Sequence, residues 1–205
     1  QSAGRHGDYR STYVEGAKYL VAALSRHAPS KLVWISSTGV YGQSRDEWVD
    51  ETTPPCPPSE QARLLLQAET IVLSAPFPTV ILRLAGIYGP GRDMLQGLRR
   101  GRAPVTSESY VNLIHLEDIV GIVQYLLKRG APKEIYLGVD DEPAVRSTLY
   151  AWLAERAGIE RSTPASNRRP RTSSSKRCSN KKIKALGYTL KYPNYRAGFE
   201  ALIGA

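Results

Sequence analysis

Apolar positions along the chain fall into two alternating patterns. Across 9–25, Val14, Ala17, Val21 and Leu24 recur at spacings of three and four, with Glu15 and Lys18 on other faces, which predicts a helix. Residues 31–35 (Lys-Leu-Val-Trp-Ile) form a short apolar run with β-branched and aromatic members, as expected of a buried parallel strand. The run gives way to Ser36-Ser37-Thr38-Gly39-Val40-Tyr41-Gly42, read as a loop, and then to a polar, proline-rich connection through Pro58. Ser59 stands as an N-cap before a helix carrying Ala62, Leu65, Leu66, Glu69 and Ile71. A second buried strand spans 79–84, closed by Gly86 and Gly89-Pro90-Gly91.

The same alternation continues. A short helix is predicted over 93–100 and an extended segment over 110–114. His115-Leu116-Glu117-Asp118 leads into a helix carrying Ile119, Ile122, Val123, Leu126 and Leu127. A third strand over 134–139 precedes a turn at Asp140-Asp141-Glu142-Pro143, and a further helix covers about 145–157, ending near Gly158. Strands alternating with helices define an α/β chain with a parallel sheet covered on both faces.

At 205 residues, with 41% hydrophobic and 23% charged positions, the chain can bury a core and is not wholly disordered. No apolar run reaches the length needed to cross a bilayer, and the opening residues are polar rather than a signal segment. Cys56 and Cys178 make neither a disulfide framework nor a zinc motif, which leaves a reducing cytoplasm as the default compartment and no metal expected. The start at Gln1 reads as a piece of something longer. The net charge of +9 is concentrated: between Arg161 and Lys184 lie nine Lys or Arg and no carboxylate. Such a run could neutralise phosphates, but it lacks aromatic platforms, so a solvated surface is expected and nucleic acid is a minor alternative.

Ligands of open parallel sheets lie beyond the carboxyl ends of the strands. Two such ends carry unusual loops here, Ser36-Ser37-Thr38 and Ala85-Gly86-Ile87-Tyr88-Gly89-Pro90-Gly91. Hydroxyls at the first can bond a substrate oxygen, and glycines at the second let backbone approach a ligand.

Taken together, the segments resemble the extended short-chain dehydrogenase/reductases, the NAD-dependent epimerase/dehydratase family. Residues 35–42 are similar to its "SSxxVYG", residues 82–91 to its "LRxxxxYGPG", residues 112–118 to its "xxIHxxD", and Val14-Glu15-Gly16 to its "NVxGT" helix. Lys176-Arg177-Cys178-Ser179-Asn180, with Leu186-Gly187-Tyr188 and Tyr192-Pro193, resembles the "KRxxN…LG…YP" segment of some atypical members; the basic residues there become local structure. The resemblance implies the C-terminal part of a Rossmann-type sheet with a smaller C-terminal lobe. Residues 1–89 would be a partial NAD(P)-binding domain and 90–205 mainly a substrate lobe, with about 117–140 returning to the sheet. It implies NAD or NADP as cofactor and a small carbonyl- or sugar-type substrate, with a homodimer left open. Ser37 would be the catalytic hydroxyl, Ile35, Ser36, Leu84, Ala85 and Gly86 would border the cofactor, and Tyr88 would meet the substrate.

Two departures qualify that picture. The family's strand, glycine-rich turn and helix, which cradle the pyrophosphate, have no counterpart in this sequence, so the 31–35 strand is expected to present an apolar edge and the chain to bind dinucleotide poorly. The family's Tyr and Lys, four apart on one helix, are replaced by Gln61 and Leu65, and Tyr13 stands for its helix Asn. A non-catalytic dinucleotide-sensing or interaction role is therefore the alternative to an oxidoreductase. Arg83, at a strand end, could grip an anionic substrate group or pair internally with a carboxylate. Tyr41 and His115 are read as packing and loop-fixing residues, and 140–142 as a solvated turn.

Overall fold

The computed structural model describes residues 8–92, 94, 107–159 and 175–204. Three parallel strands make the central sheet: β1 (Leu32–Ser37), β3 (Thr79–Leu84) and β7 (Ile135–Gly138), in the order β1-β3-β7. In β3 every residue is buried, and its side chains alternate between two helical layers. Ile81 packs with Ala17, Ala68 and Val72, from α1 (Gly16–Leu24) and α2 (Glu60–Leu73). Val80, Leu82 and Leu84 face the other way, toward Ile119, Ile122 and Leu126 of α3 (Leu116–Arg129).

The predicted helix over 9–25 begins as a π-helical stretch, Arg10–Glu15, and continues as α1. Ser59 caps α2 as expected, its Oγ accepting from the Ala62 N–H at 3.2 Å. The first strand runs two residues further than its apolar composition suggests, because Ser36 and Ser37 stay in register with Arg83 and Leu84 of β3. Among the described residues β1 has one sheet neighbour, and Ile35 on it is 41% exposed.

A second core gathers around Tyr88, Leu113, Leu149, Leu153, Tyr195 and Phe199. It is built from β4 (Gly86–Tyr88) paired with β6 (Leu113–His115), from α4 (Arg146–Arg156), and from α6 (Tyr195–Ile203). Two short pairs complete the frame: β2 (Glu47–Val49) with β9 (Lys176–Cys178), parallel, and β5 (Tyr110–Val111) with β8 (Ala144–Val145), antiparallel. The helix α5 (Lys181–Ala185) follows β9. Of the helix predicted over 93–100, all but residue 94 lies outside the described residues. No described helix is long and apolar enough to cross a membrane.

Candidate functional site

The carboxyl ends of β1 and β3 lie side by side, with Ser37 paired to Leu84. Beyond Ser37 the chain turns through a 3-10 helix, Thr38–Val40, whose start Ser37 caps by accepting from the Gly39 N–H at 3.0 Å. Ser37 is half-buried, and in that bond its hydroxyl acts as acceptor only. Thr38 donates to the Leu84 carbonyl at 3.3 Å and so ties the two strand ends together. The Ser36 Oγ is buried and has no partner among the described residues. On the β3 side the chain is held by backbone: Ala85 N–H donates to the Gly138 carbonyl and Gly86 N–H to the Asn112 carbonyl. Gly86 is exposed, yet a Cβ there would come within 3.1 Å of the Asn112 oxygen.

Of the two roles open to Arg83, the structure shows the internal pair. Its Nη2 lies 2.7 Å from Glu69 Oε2 and its Nε 3.1 Å from Oε1, while Nη1 donates to the Tyr41 hydroxyl at 2.6 Å. Arg83 points with Ile81 toward α2 and stands there as a core ion pair with Glu69. Tyr41 is buried and donates to the Asp50 carbonyl; burial raises its pKa, with Arg83 opposing. Tyr88, expected to meet substrate, is instead enclosed, stacked on Phe199 at 4.5 Å and edge-on to His115 at 5.1 Å.

His115 is the N-cap of α3, its Nδ1 accepting from the Glu117 N–H, and burial lowers its pKa. It fixes the loop, as the sequence suggests. The triplet 140–142 is solvated only in part, Asp141 being exposed and Glu142 half-buried. Asp140 is buried, Asp141 takes Lys184 and Asn180, and Glu142 pairs with Arg196. Among the described residues no group of three or more His, Cys, Asp or Glu could hold a metal ion.

The α2 helix presents Gln61 to solvent and packs Leu65 partly against the core. In the described part of the basic tail, Arg177 lies over Trp48 and Tyr110, and Lys182 reaches Glu134. Arg161, Arg168, Arg169 and Arg171 lie outside the described residues. Sequence reasoning passed over Asn112, whose buried side chain accepts from the Cys178 N–H at 2.7 Å and donates to the Lys176 carbonyl at 3.0 Å. The signal for it was positional: a lone amide in an otherwise apolar segment just before Leu113-Ile114.

A parallel sheet between two helical layers, with hydroxyl- and glycine-bearing loops at adjacent strand ends and a second small core beyond them, defines a Rossmann-type nucleotide-cofactor fold with an appended lobe. Residues 1–137 match the model of the NAD-dependent epimerase/dehydratase family, and the chain belongs to that family. It is 34% identical over 159 residues to Protein YeeZ of Escherichia coli K12, covering 77% of this chain and 57% of that protein, so it spans little more than half of that relative's length. A conserved protein of unknown function from Silicibacter pomeroyi superposes with a TM-score of 0.84 at 33% identity, covering all of this chain and 75% of that one. DesIV of Streptomyces venezuelae, a dTDP-glucose 4,6-dehydratase solved with NAD and TYD bound, shares the fold at a TM-score of 0.82 and 18% identity, over 95% of this chain and 65% of that one.

Proposed function

We propose that the chain carries the nicotinamide-facing and substrate-facing side of an NAD- or NADP-binding protein of the epimerase/dehydratase kind, acting on a small carbonyl- or sugar-type molecule. The observation that carries this reading is the register of Ser37 beside Leu84, which sets a hydroxyl-bearing residue at the strand end where the Ala85–Gly86 backbone leaves the sheet. The residues present fit the nicotinamide end of the cofactor. Ile35 offers exposed apolar surface, Ser36 a buried hydroxyl without a partner among the described residues, and Leu84, Ala85 and Gly86 a backbone edge with little side-chain bulk. Bound there, the nicotinamide would supply hydride acceptance or return. Ser37 would hold the substrate oxygen by donating its hydroxyl proton, and the Thr38 bond to Leu84 would keep that hydroxyl in place.

Binding without turnover is a second reading, favoured by one feature: α2 carries Gln61 and Leu65 at the positions where the resemblance implies the family's Tyr and Lys. Saturation-transfer NMR with NAD and NADP, reading contacts from the nicotinamide protons to the Ile35 and Ala85 methyls, tests the shared part of both readings. Contacts at neither residue would overturn it. Hydride transfer that falls in Ser37→Ala while those contacts persist would select the enzyme, and cofactor contact without hydride transfer would select the sensor.

A further inference from the structure

The turn after β7 and the end of β9 border a cleft of about 350 Å3, and its lining shares no residue with Ser37 or with the backbone edge at 84–86. Pieces distant in sequence build it. In the parallel pair β2–β9, Val49 and Cys178 are buried, so strand alternation turns Trp48 outward, where it is 55% exposed at the cleft. Arg177, opposite Trp48, lies over its ring at 5.0 Å and steadies the indole. The Ser179 N–H extends the pairing to the Val49 carbonyl at 2.9 Å. Asn180 then fastens the end of β9 to the facing turn, its Nδ2 donating to the Val139 carbonyl at 3.1 Å and to Asp141 Oδ1 at 2.7 Å. Lys184 of α5 meets the same carboxylate at 2.9 and 3.0 Å. These bonds hold the walls in one arrangement, which lowers the cost of ordering them around a ligand.

We propose that this cleft is a second binding site, for a neutral pyranoside ring that rests a C–H face against Trp48 and sets its hydroxyls on the charged lining. The formal charges of that lining balance, Asp140 and Asp141 against Lys181 and Lys184. An anion would meet the two carboxylates and a cation the two ammonium groups, so neither sign of ligand is favoured. A ring hydroxyl both donates and accepts, which suits a wall where carboxylates, acceptors only, stand among ammonium groups, donors only. Asp140, 2% exposed, lines the cleft with one oxygen accepting from the Glu142 N–H and the other without a partner among the described residues. A wholly apolar occupant would add to the cost of that unpaired oxygen, whereas a hydroxyl proton supplies its partner. The indole adds apolar contact area with few torsions to freeze. The volume lies at the small end for ligand clefts and suits a monosaccharide.

The test titrates the whole chain with the α- and β-methyl pyranosides of glucose, galactose, mannose and xylose, read by NMR at the indole N–H of Trp48 and the side-chain amide of Asn180. The chain holds three tryptophans, and Trp48→Phe identifies the signal that belongs to Trp48. At least one of these sugars is expected to move both signals together and saturably, in the millimolar range, while the Ile35 and Ala85 methyls stay in place. Trp48→Ala, read at Asn180, and Asp140→Asn, read at both signals, should each weaken that binding by about tenfold, the loss of one good contact. Citrate and putrescine, as charged probes, should not displace the sugar. Absence of a saturable shift at Trp48 and Asn180 across the whole panel would overturn the proposal. So would shifts confined to Ile35 and Ala85, which place the sugar at the strand ends, or unchanged affinity in both variants. Displacement by citrate or putrescine would overturn the assignment to a neutral ligand. Loss of nicotinamide contact at Ile35 and Ala85 bears on the strand-end site alone and leaves this one standing.

Discussion

Arg83 and Glu69 form a two-pronged ion pair with both side chains 3% exposed, joining the middle strand of the sheet to the helix that covers it. The third guanidinium nitrogen runs on to Tyr41 and thence to the Asp50 carbonyl, so one buried chain of bonds links β3, α2 and the loop after β1. Such a pair contributes little net stability beside an apolar substitute, but either half left alone is costly.

Glu69→Leu and Arg83→Met should each lower unfolding free energy by about 3–5 kcal/mol, because each strands a buried charge or its hydrogen-bonding partners. The double variant Glu69→Leu/Arg83→Met should lose much less than the sum of the singles. Urea unfolding of the four proteins in a thermodynamic cycle measures this coupling. Additive losses would mean that the two groups do not act as a pair.

Gly198 on α6 is the contact point between that helix and Tyr88. A Cβ there would sit 2.7 Å from the Tyr88 ring carbons Cε2 and Cζ, in a core where Tyr88 is stacked on Phe199 and cannot swing aside. Gly198→Ala should therefore destabilise by about 1–3 kcal/mol through overpacking, outweighing the gain of up to about 1 kcal/mol that alanine brings to a helix. Adding Tyr88→Leu should recover part of that loss. Thermal unfolding of Gly198→Ala alone and combined with Tyr88→Leu decides between a packing clash and a backbone effect.

The sheet was legible where one local rule set each boundary. Residues 79–84 form an uninterrupted buried run between Pro78 and Ala85-Gly86, and Ser59 announces α2 by its own capping hydroxyl. Legibility failed where a distant residue supplies what the local chemistry lacks. Asp141 and Glu142 look solvent-bound until Asn180, Lys184 and Arg196 arrive, 39 to 54 positions later. Ser36 and Ser37 read as loop because they are polar, but β3 supplies the ladder that keeps them in the strand. Lys176 sits in a basic run whose composition suggests water, and only the pairing of β9 with β2 turns it inward. The direction of Arg83 follows from strand alternation, yet choosing between cleft and helix required knowing which layer lay on each face.

Asp118, in the first turn of α3, fastens the C-terminal segment by accepting from the Lys191 N–H at 2.7 Å and the Tyr192 N–H at 3.0 Å. Asp118→Ala should leave those two amides without their acceptor and cost about 1–3 kcal/mol. The loss should be local. Amide hydrogen exchange at Lys191 and Tyr192 should accelerate well before exchange in β3 changes, and equal acceleration of both would mean that the segment is not held by this carboxylate.

Asp140 offers the clearest dependence on pH. It is 2% exposed, and its pKa lies well above the ordinary carboxylate value, chiefly through burial, with the neighbouring Glu142, Asp141 and Asp118 adding to the rise against the Glu142 N–H. One carboxyl oxygen accepts from that N–H, while the other has no partner among the described residues. A folded-state pKa above the unfolded one makes the folded chain the tighter proton binder. Stability attributable to this group is therefore fully present below the unfolded value, near pH 4, and is lost as pH rises toward the folded value. Within that window the slope approaches about 1.4 kcal/mol per pH unit, and above it the penalty is constant. Asp140→Asn removes the titration while keeping the acceptor for Glu142. The variant should gain on the wild type as pH rises from 4, then run parallel to it once Asp140 is ionised in both states. Paired urea unfolding at intervals from pH 3.5 to pH 8 gives the difference directly, with the other carboxylates cancelling to first order. A difference that is flat across that range would mean that Asp140 is as well solvated in the folded chain as in the unfolded one, and that the buried turn opens to water at neutral pH.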